Sequence, residues 1–320
     1  MTGLFKVKTV MKTKIAIVGL GGVGGYFGGM LAKHYAENPE VEIYFVARGE
    51  HLKKIIENGL ILITENGTFH ISPTLATDNV AEIGIVDYII MTPKSYDLDS
   101  TVAQIKPMIG ANTVILPLFN GIDNSERIRV LLPDTEVWDG CCYIVAKINK
   151  PGVVENSGSV HRLVFGNQNQ TNERLLAFEK ILKEAGLEAE FHDDILTSIW
   201  RKFLFISSSA SLTSYFDVTY GALLNDEFRK KTFDDLLIEF LQVANAEGIA
   251  VDNTDVERLI LQIESLPFET TTSMHRDFKA GKNTEVNSLT GIVVKLGKKH
   301  GIDTPTYEKI YHTLTERMKK

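Results

Sequence analysis

An apolar run, Lys14–Gly19, ends on a glycine, and the next ten residues hold Gly21, Gly22, Gly24, Gly25, Gly28 and Gly29. A glycine inside a helix costs about 0.5–1 kcal/mol relative to alanine, so a helix start this rich in glycine calls for a reason. Gly19-Leu20-Gly21-Gly22-Val23-Gly24 fits G-x-G-x-x-G at the point where a strand turns into a helix. There the first glycine permits the tight turn, the second lets backbone approach a pyrophosphate, and the third lets helix pack closely on strand. The helix N-terminus adds unpaired N–H groups and the positive end of a dipole. The stretch predicts a dinucleotide-binding turn. A packing turn without a ligand is the plain alternative.

The end of the second strand chooses the cofactor. In NAD sites an acidic residue there binds the ribose 2′-hydroxyl. Here the position reads Ala47-Arg48-Gly49, with no carboxylate before Glu50. Arg48 can meet a 2′-phosphate with a paired fork of donors, where a carboxylate would repel it. NADP is therefore the expected cofactor. Otherwise Arg48 is a solvated surface arginine.

The apolar runs Lys14–Gly19, Val41–Arg48, Val86–Lys94 and Asn112–Gly121 read as strands. Helical patterns fall between several of them, at Val23–Tyr35, Glu50–Asn58 and Asp97–Ile109. Such alternation implies right-handed crossovers and a mostly parallel sheet. A helical pattern in Glu173–Asp194 closes this half. Beyond Ile195 strand signals nearly vanish. Helical patterns take over at Ser198–Ser214, Asp226–Glu247, Asp255–Glu264, Asn283–His300 and Thr306–Lys319. The predicted architecture is α/β: an N-terminal Rossmann-type, doubly wound parallel sheet over 11–194, then an all-helical domain over 195–320. Met11 could be the natural start, leaving residues 1–10 as a disordered extension.

Composition narrows the partners. At 320 residues, with 44% hydrophobic and 23% charged residues, the chain has the texture of a two-domain globular protein. A net charge of −7 argues against nucleic acid, which needs a basic face. No stretch reaches the ~18 apolar residues of a membrane span, and no signal-peptide pattern is read at the N-terminus. Two adjacent cysteines, Cys141 and Cys142, make no disulfide framework and no metal site. A cytoplasmic protein is expected. Oligomeric state is not readable from these motifs; a homodimer through the helical half is the assembly entertained.

The order of "GLGGVGG", "ARGEH", "TPKSYD", "LFNGID", "IWRKF" and "SMHRDFKAGKNTEVNSLTG" resembles the ketopantoate reductases (2-dehydropantoate 2-reductases) from Lys14 to about Lys319. The last two motifs are the most specific. The resemblance implies a Rossmann domain and a helical domain with the active site in the cleft between them, and reduction of the ketone of ketopantoate by NADPH on the route to pantothenate. It implies NADP contacts at Gly19 to Gly24, Arg48, Lys94, Asn120, Ala146 and Glu285. It makes Lys202 the catalytic residue and Asn120, Lys202 and Ser273 the substrate contacts. Hydride attack on a ketone develops negative charge on oxygen, which a protonated lysine can neutralise without a metal. From the residues alone, Lys202 in Trp-Arg-Lys could be a solvated basic face, Glu285 an early-helix carboxylate, and Asn120-Gly121 only a turn.

The chain departs from the family where asparagines usually follow the lysine by four and eight residues. Ile206 and Ala210 stand there, and Tyr220 replaces a later asparagine. Ser207, Ser208, Ser209 and Ser211 could supply replacement hydroxyls, or serve as small residues that permit close helix packing. The segment Gly140–Lys147, with Cys141 and Cys142, also differs from the threonine-rich family version; a redox nucleophile is one reading of these cysteines, and inert buried packing the usual one. Two further readings stay open: a same-family reductase of another 2-keto or 3-keto acid, and a nucleotide sensor that kept the fold without catalysis.

Overall fold

The computed structural model describes residues 12–168 and 172–319. The expected extension over residues 1–10 lies outside them. The described residues divide into two compact units. The first runs to Pro93 and adds Asp97–Phe119 and Ser125–Asp193; the second takes Lys94–Tyr96, Asn120–Asn124 and everything from Asp194 onward.

The first unit begins β1 (Thr13–Val18), α1 (Gly22–His34), β2 (Val41–Val46) and α2 (Gly49–Asn58). A hairpin of β3 (Leu60–Thr64) and β4 (Gly67–Ile71) follows, then β5 (Leu75–Thr77) and β6 (Tyr88–Met91). Next come α3 (Leu98–Ile105), β7 (Val114–Pro117), α4 (Asn124–Leu131) and β8 (Glu136–Val137). Two long strands, β9 (Asp139–Lys150) and β10 (Val153–Gly166), lead to α5 (Glu173–Glu184) and β11 (Glu188–Phe191).

Six strands form a parallel sheet in the order β5-β2-β1-β6-β7-β8. The chain starts in the middle, winds outward through β2 and β5, then returns past β1 to β6, β7 and β8. That is the doubly wound order, and its reversal lies between β1 and β6. Alternate residues feed two cores, as strands buried on both faces require. Ile15, Ile17, Ile43 and Phe45 pack with Phe27 and Leu31 of α1, whereas Ala16, Val18, Ile89 and Met91 pack with Leu98, Val102 and Ile105 of α3.

The expected Rossmann-type sheet is therefore present, and a second sheet accompanies it. Its order is β11-β10-β3-β4, with β9 antiparallel to β10. The Glu173–Asp194 stretch is not all helix, since Glu188–Phe191 pairs in parallel with β10 as its edge strand.

In the second unit the described residues form no strand. Its helices are α6 (Ile195–Phe216), α7 (Tyr220–Leu224), α8 (Glu227–Ala246), α9 (Asn253–Glu264) and α10 (Ser273–Lys279). A π-helical turn, Asn287–Gly291, then opens into α11 (Ile292–His300), and α12 (Pro305–Met318) follows. Helix α6 is 22 residues long and starts at Asp194, whose carboxylate accepts from the Thr197 N–H. Its Trp200, Phe203 and Leu212 join Phe233 and Phe240 of α8 and Tyr307 and Leu314 of α12 in one core. Buried Glu239 accepts from the Thr306 and Tyr307 N–H groups at 2.7 and 2.9 Å, which caps α12 where Thr304 makes no side-chain bond.

Candidate functional site

At the β1–α1 turn, Gly19 has φ +94°, which side-chain-bearing residues rarely adopt, and a Cβ there would stand 3.1 Å from Thr92 and Pro93 backbone. The Thr92 hydroxyl ties the turn by donating to the Gly19 carbonyl and, at 3.3 Å, to that of Val18. A Cβ on Gly22 would collide with the Ala146 carbonyl of β9, so α1 lies directly on that strand. Gly21 differs: a Cβ would meet nothing within 4 Å. As N-cap of α1 it brings no capping side chain, and the first turn contains no acid. The first N–H groups of α1 are thus left for an outside acceptor beside open backbone. That is the fit a pyrophosphate needs. Leu20 is buried and Val23 packs on the core, so their side chains point away from any ligand.

Arg48 ends the second strand as the exposed N-cap of α2, and its guanidinium has no ion pair or hydrogen bond among the described residues. His51, one turn into α2, was not anticipated. Its Nδ1 accepts from the Gly152 N–H at 3.0 Å. Burial holds the ring below the ordinary histidine range, with the Leu20 backbone of the glycine turn opposing.

In the second unit Lys202 is only 9% exposed, and its Nζ donates to Asn120 Oδ1 at 3.0 Å. It is no solvated basic face. The surface cation is its neighbour Arg201, which pairs with Asp255 at 3.0 Å. Asn120 is held in turn, since its carbonyl accepts from Asn124 Nδ2 at 3.1 Å beside Gly121 at φ +122°.

Lys94 lies between two carboxylates, Glu285 Oε2 at 3.1 Å and Asp277 Oδ2 at 3.2 Å. Burial pulls its ammonium down, but Glu285 and Asp277 outweigh it and the net shift is upward. Glu285, 3% exposed, also accepts from the Ser95 N–H at 3.4 Å, and the Ser95 and Ser288 hydroxyls meet at 2.6 Å. Glu285 is thus more than an early-helix carboxylate. Ser95, Asp277 and Ser288 escaped the sequence reading; the one signal was Asp277 standing four residues after Ser273, on the same helix face. Ser273 opens α10 behind Thr272, whose hydroxyl accepts from the His275 N–H at 3.2 Å. The Ser273 hydroxyl has no partner among the described residues.

The serine cluster does not offer hydroxyls to a ligand. Ser207, Ser208, Ser209 and Ser211 are all fully buried. Ser207 donates to the Leu289 carbonyl at 2.6 Å, Ser208 to that of Leu204 at 2.6 Å, and Ser211 meets Thr290 at 2.8 Å. Ser209 lies beside the Tyr220 phenol, which burial pushes up to about 12. Ala210 and Tyr220 are buried too, whereas Ile206 keeps part of its surface open. Cys141 and Cys142 are buried inside the first unit. Among the described residues no cluster of His, Cys, Asp or Glu is placed to hold a metal, and no helix is long and apolar enough to cross a membrane.

Comparison with known proteins agrees with this chemistry. Residues 15–170 match the family described as "Ketopantoate reductase PanE/ApbA", and residues 194–318 its C-terminal counterpart. The chain is 29% identical over 302 residues to the uncharacterized oxidoreductase YkpB of Bacillus subtilis, covering 94% of this chain and 97% of that one. It is 28% identical to the 2-dehydropantoate 2-reductase of Aquifex aeolicus, covering 94% and 95%. Among solved structures, the 2-dehydropantoate 2-reductase of Porphyromonas gingivalis W83 superposes with a TM-score of 0.84 at 36% identity, over 95% of this chain and all of that one. D-mandelate dehydrogenase with NADH and anilino(oxo)acetate gives 0.84 at 27%, over 96% and 99%. With a glycine-rich β1–α1 turn in one unit, a buried lysine in the other, and family matches across both, the chain is an oxidoreductase that belongs to the ketopantoate reductase family.

Proposed function

We propose that the protein reduces the ketone of a 2-keto acid with NADPH and that Lys202 donates the proton. The observation that carries this reading is the buried ammonium of Lys202 held by Asn120 Oδ1. An ammonium has three N–H donors and Asn120 uses one, so others remain for a substrate oxygen. When bound, the reduced nicotinamide supplies the hydride that adds to the ketone carbon. The carbonyl electron pair moves to oxygen, Lys202 gives that oxygen its proton, and a 2-hydroxy acid results. Asn120 keeps the ammonium aimed and offers its own NH₂, while Ser273 offers an unclaimed hydroxyl to the carboxylate.

On the cofactor side, the α1 N-terminus with Gly21 takes the pyrophosphate and Arg48 the 2′-phosphate. Lys94 and Glu285 serve a cofactor hydroxyl, with Asp277 steadying Lys94. The 2-dehydropantoate 2-reductases among the relatives make ketopantoate, on the route to pantothenate, the reference substrate. The D-mandelate dehydrogenase neighbour keeps other 2-keto acids in play. NADPH consumption measured over a panel of 2-keto acids, with NADH in parallel, tests the reading. Turnover of at least one acid is expected, and cofactor binding without turnover of any would overturn it.

A further inference from the structure

We infer that the face of α6 beside Lys202 is built for a 2-keto acid whose chain beyond the ketone is apolar, branched alkyl or aryl, and that Ile206 sets this preference. The inference rests on the 2-keto acid reading above. On a helix, the side chains sharing surface with Lys202 stand three and four residues away. In the next turn these are Phe205 and Ile206. Between Lys202 and Ser214 they are also the only residues of α6 that are not buried. In the preceding turn Ile199 is buried, and Ser198 donates to the Asp194 carbonyl at 3.4 Å. The reachable surface of α6 around the ammonium is therefore hydrocarbon.

On the proposed reading, the reaction itself occupies the polar groups already assigned. Lys202, the Asn120 amide and the Ser273 hydroxyl serve one ketone and one carboxylate. A further substrate hydroxyl would find neither donor nor acceptor on α6, because Ser207, Ser208 and Ser211 already bond inside the helical unit and Ser209 is sealed. A polar group desolvated without a partner loses enough to lower affinity roughly tenfold to hundredfold. An isopropyl or phenyl group at the same place gains by covering Phe205 and Ile206.

The test compares kcat/KM for 2-ketoisovalerate and ketopantoate with NADPH, in the unmodified protein and in Ile206→Asn. Equilibrium binding of the products, 2-hydroxyisovalerate and pantoate, is measured by calorimetry with NADP⁺ present. The unmodified protein should favour the isopropyl compounds by roughly tenfold or more in both measurements, and Ile206→Asn should move both ratios toward the hydroxylated compounds by a similar factor. Ile206→Thr carries the same test if the asparagine variant does not fold. Stronger turnover or binding of the hydroxylated pair by the unmodified protein would overturn the inference, as would ratios that neither substitution moves. Loss of turnover with both acids would count against the reductase reading instead, and the binding ratio would still decide the preference.

Discussion

The glycine turn of the first unit and the two lysine sites of the second are built in opposite ways. The turn is made by backbone within Gly19–Gly24, and what matters is the absence of side chains: open space at Gly21, forced contact at Gly22. The lysine sites are made by side chains drawn from distant stretches, Lys94 with Asp277 and Glu285 in one and Lys202 with Asn120 in the other. A backbone site is written in consecutive residues. A side-chain site becomes visible only when distant segments meet, and each member then depends on its partners.

The sharpest break of this comparison is Lys202→Ala. Removing a positioned acid should lower kcat by roughly 10²–10⁴, while the Kd for NADPH, measured by fluorescence titration, changes little. Near-normal turnover would reduce Lys202 to a buried packing cation. Arg48→Ala comes next. Losing charge-assisted bonds to a 2′-phosphate should weaken NADPH roughly tenfold to hundredfold and leave NADH nearly untouched. Equal affinity for both cofactors in the unmodified protein would refute the NADP assignment.

A pair of alanines then separates ligand from packing inside the turn. Gly21→Ala has room in the chain, so melting temperature should hold while the Kd for NADPH rises by about tenfold. Gly22→Ala forces α1 off Ala146 and should cost about 1–3 kcal/mol in urea unfolding. Identical behaviour of the two variants would mean that both glycines serve packing alone.

The smallest effect concerns Lys94. Its folded pKa is raised, so the stability it contributes is complete below the ordinary lysine value of about 10.4 and is lost as pH climbs through the higher folded value. Asp277→Asn removes one of the two carboxylates, so that loss should be smaller and should be complete at a lower pH. Urea midpoints across the alkaline range measure it, and superimposable curves for both proteins would show that Asp277 does not support the lysine.

The same contrast explains what the sequence made legible. The buried strands of the first sheet are short apolar runs bounded by glycine or proline, and their two-faced burial follows from that pattern. The second sheet is not announced this way. Strand β4 is mostly exposed, and β10 pairs with β3 across some ninety residues, with two register irregularities against β9. Lys202 and Glu285 were reachable through their motifs, but Asp277, Ser95 and Ser288 were not, because their meaning lies in partners up to 193 residues away. The serines of α6 misled for the same reason, since their acceptors lie on other turns and other helices.

A π-helical turn admits one residue more than a regular turn and leaves neighbouring carbonyls poorly served by their own helix. The turn at Asn287–Gly291 is such a place, and Ser207 supplies the Leu289 carbonyl with a donor while also meeting the Tyr307 hydroxyl at 3.0 Å. An irregularity in one helix has thus become a composition in another. The two are tied as a pair: alanine at 207 takes a donor away from the Leu289 carbonyl as long as the extra residue stays, and trimming that residue leaves a buried serine with one partner fewer. A polar stripe inside a helical core can be the imprint of a neighbour's geometry, and in this chain part of the serine content of α6 is the negative of a wide turn eighty residues downstream.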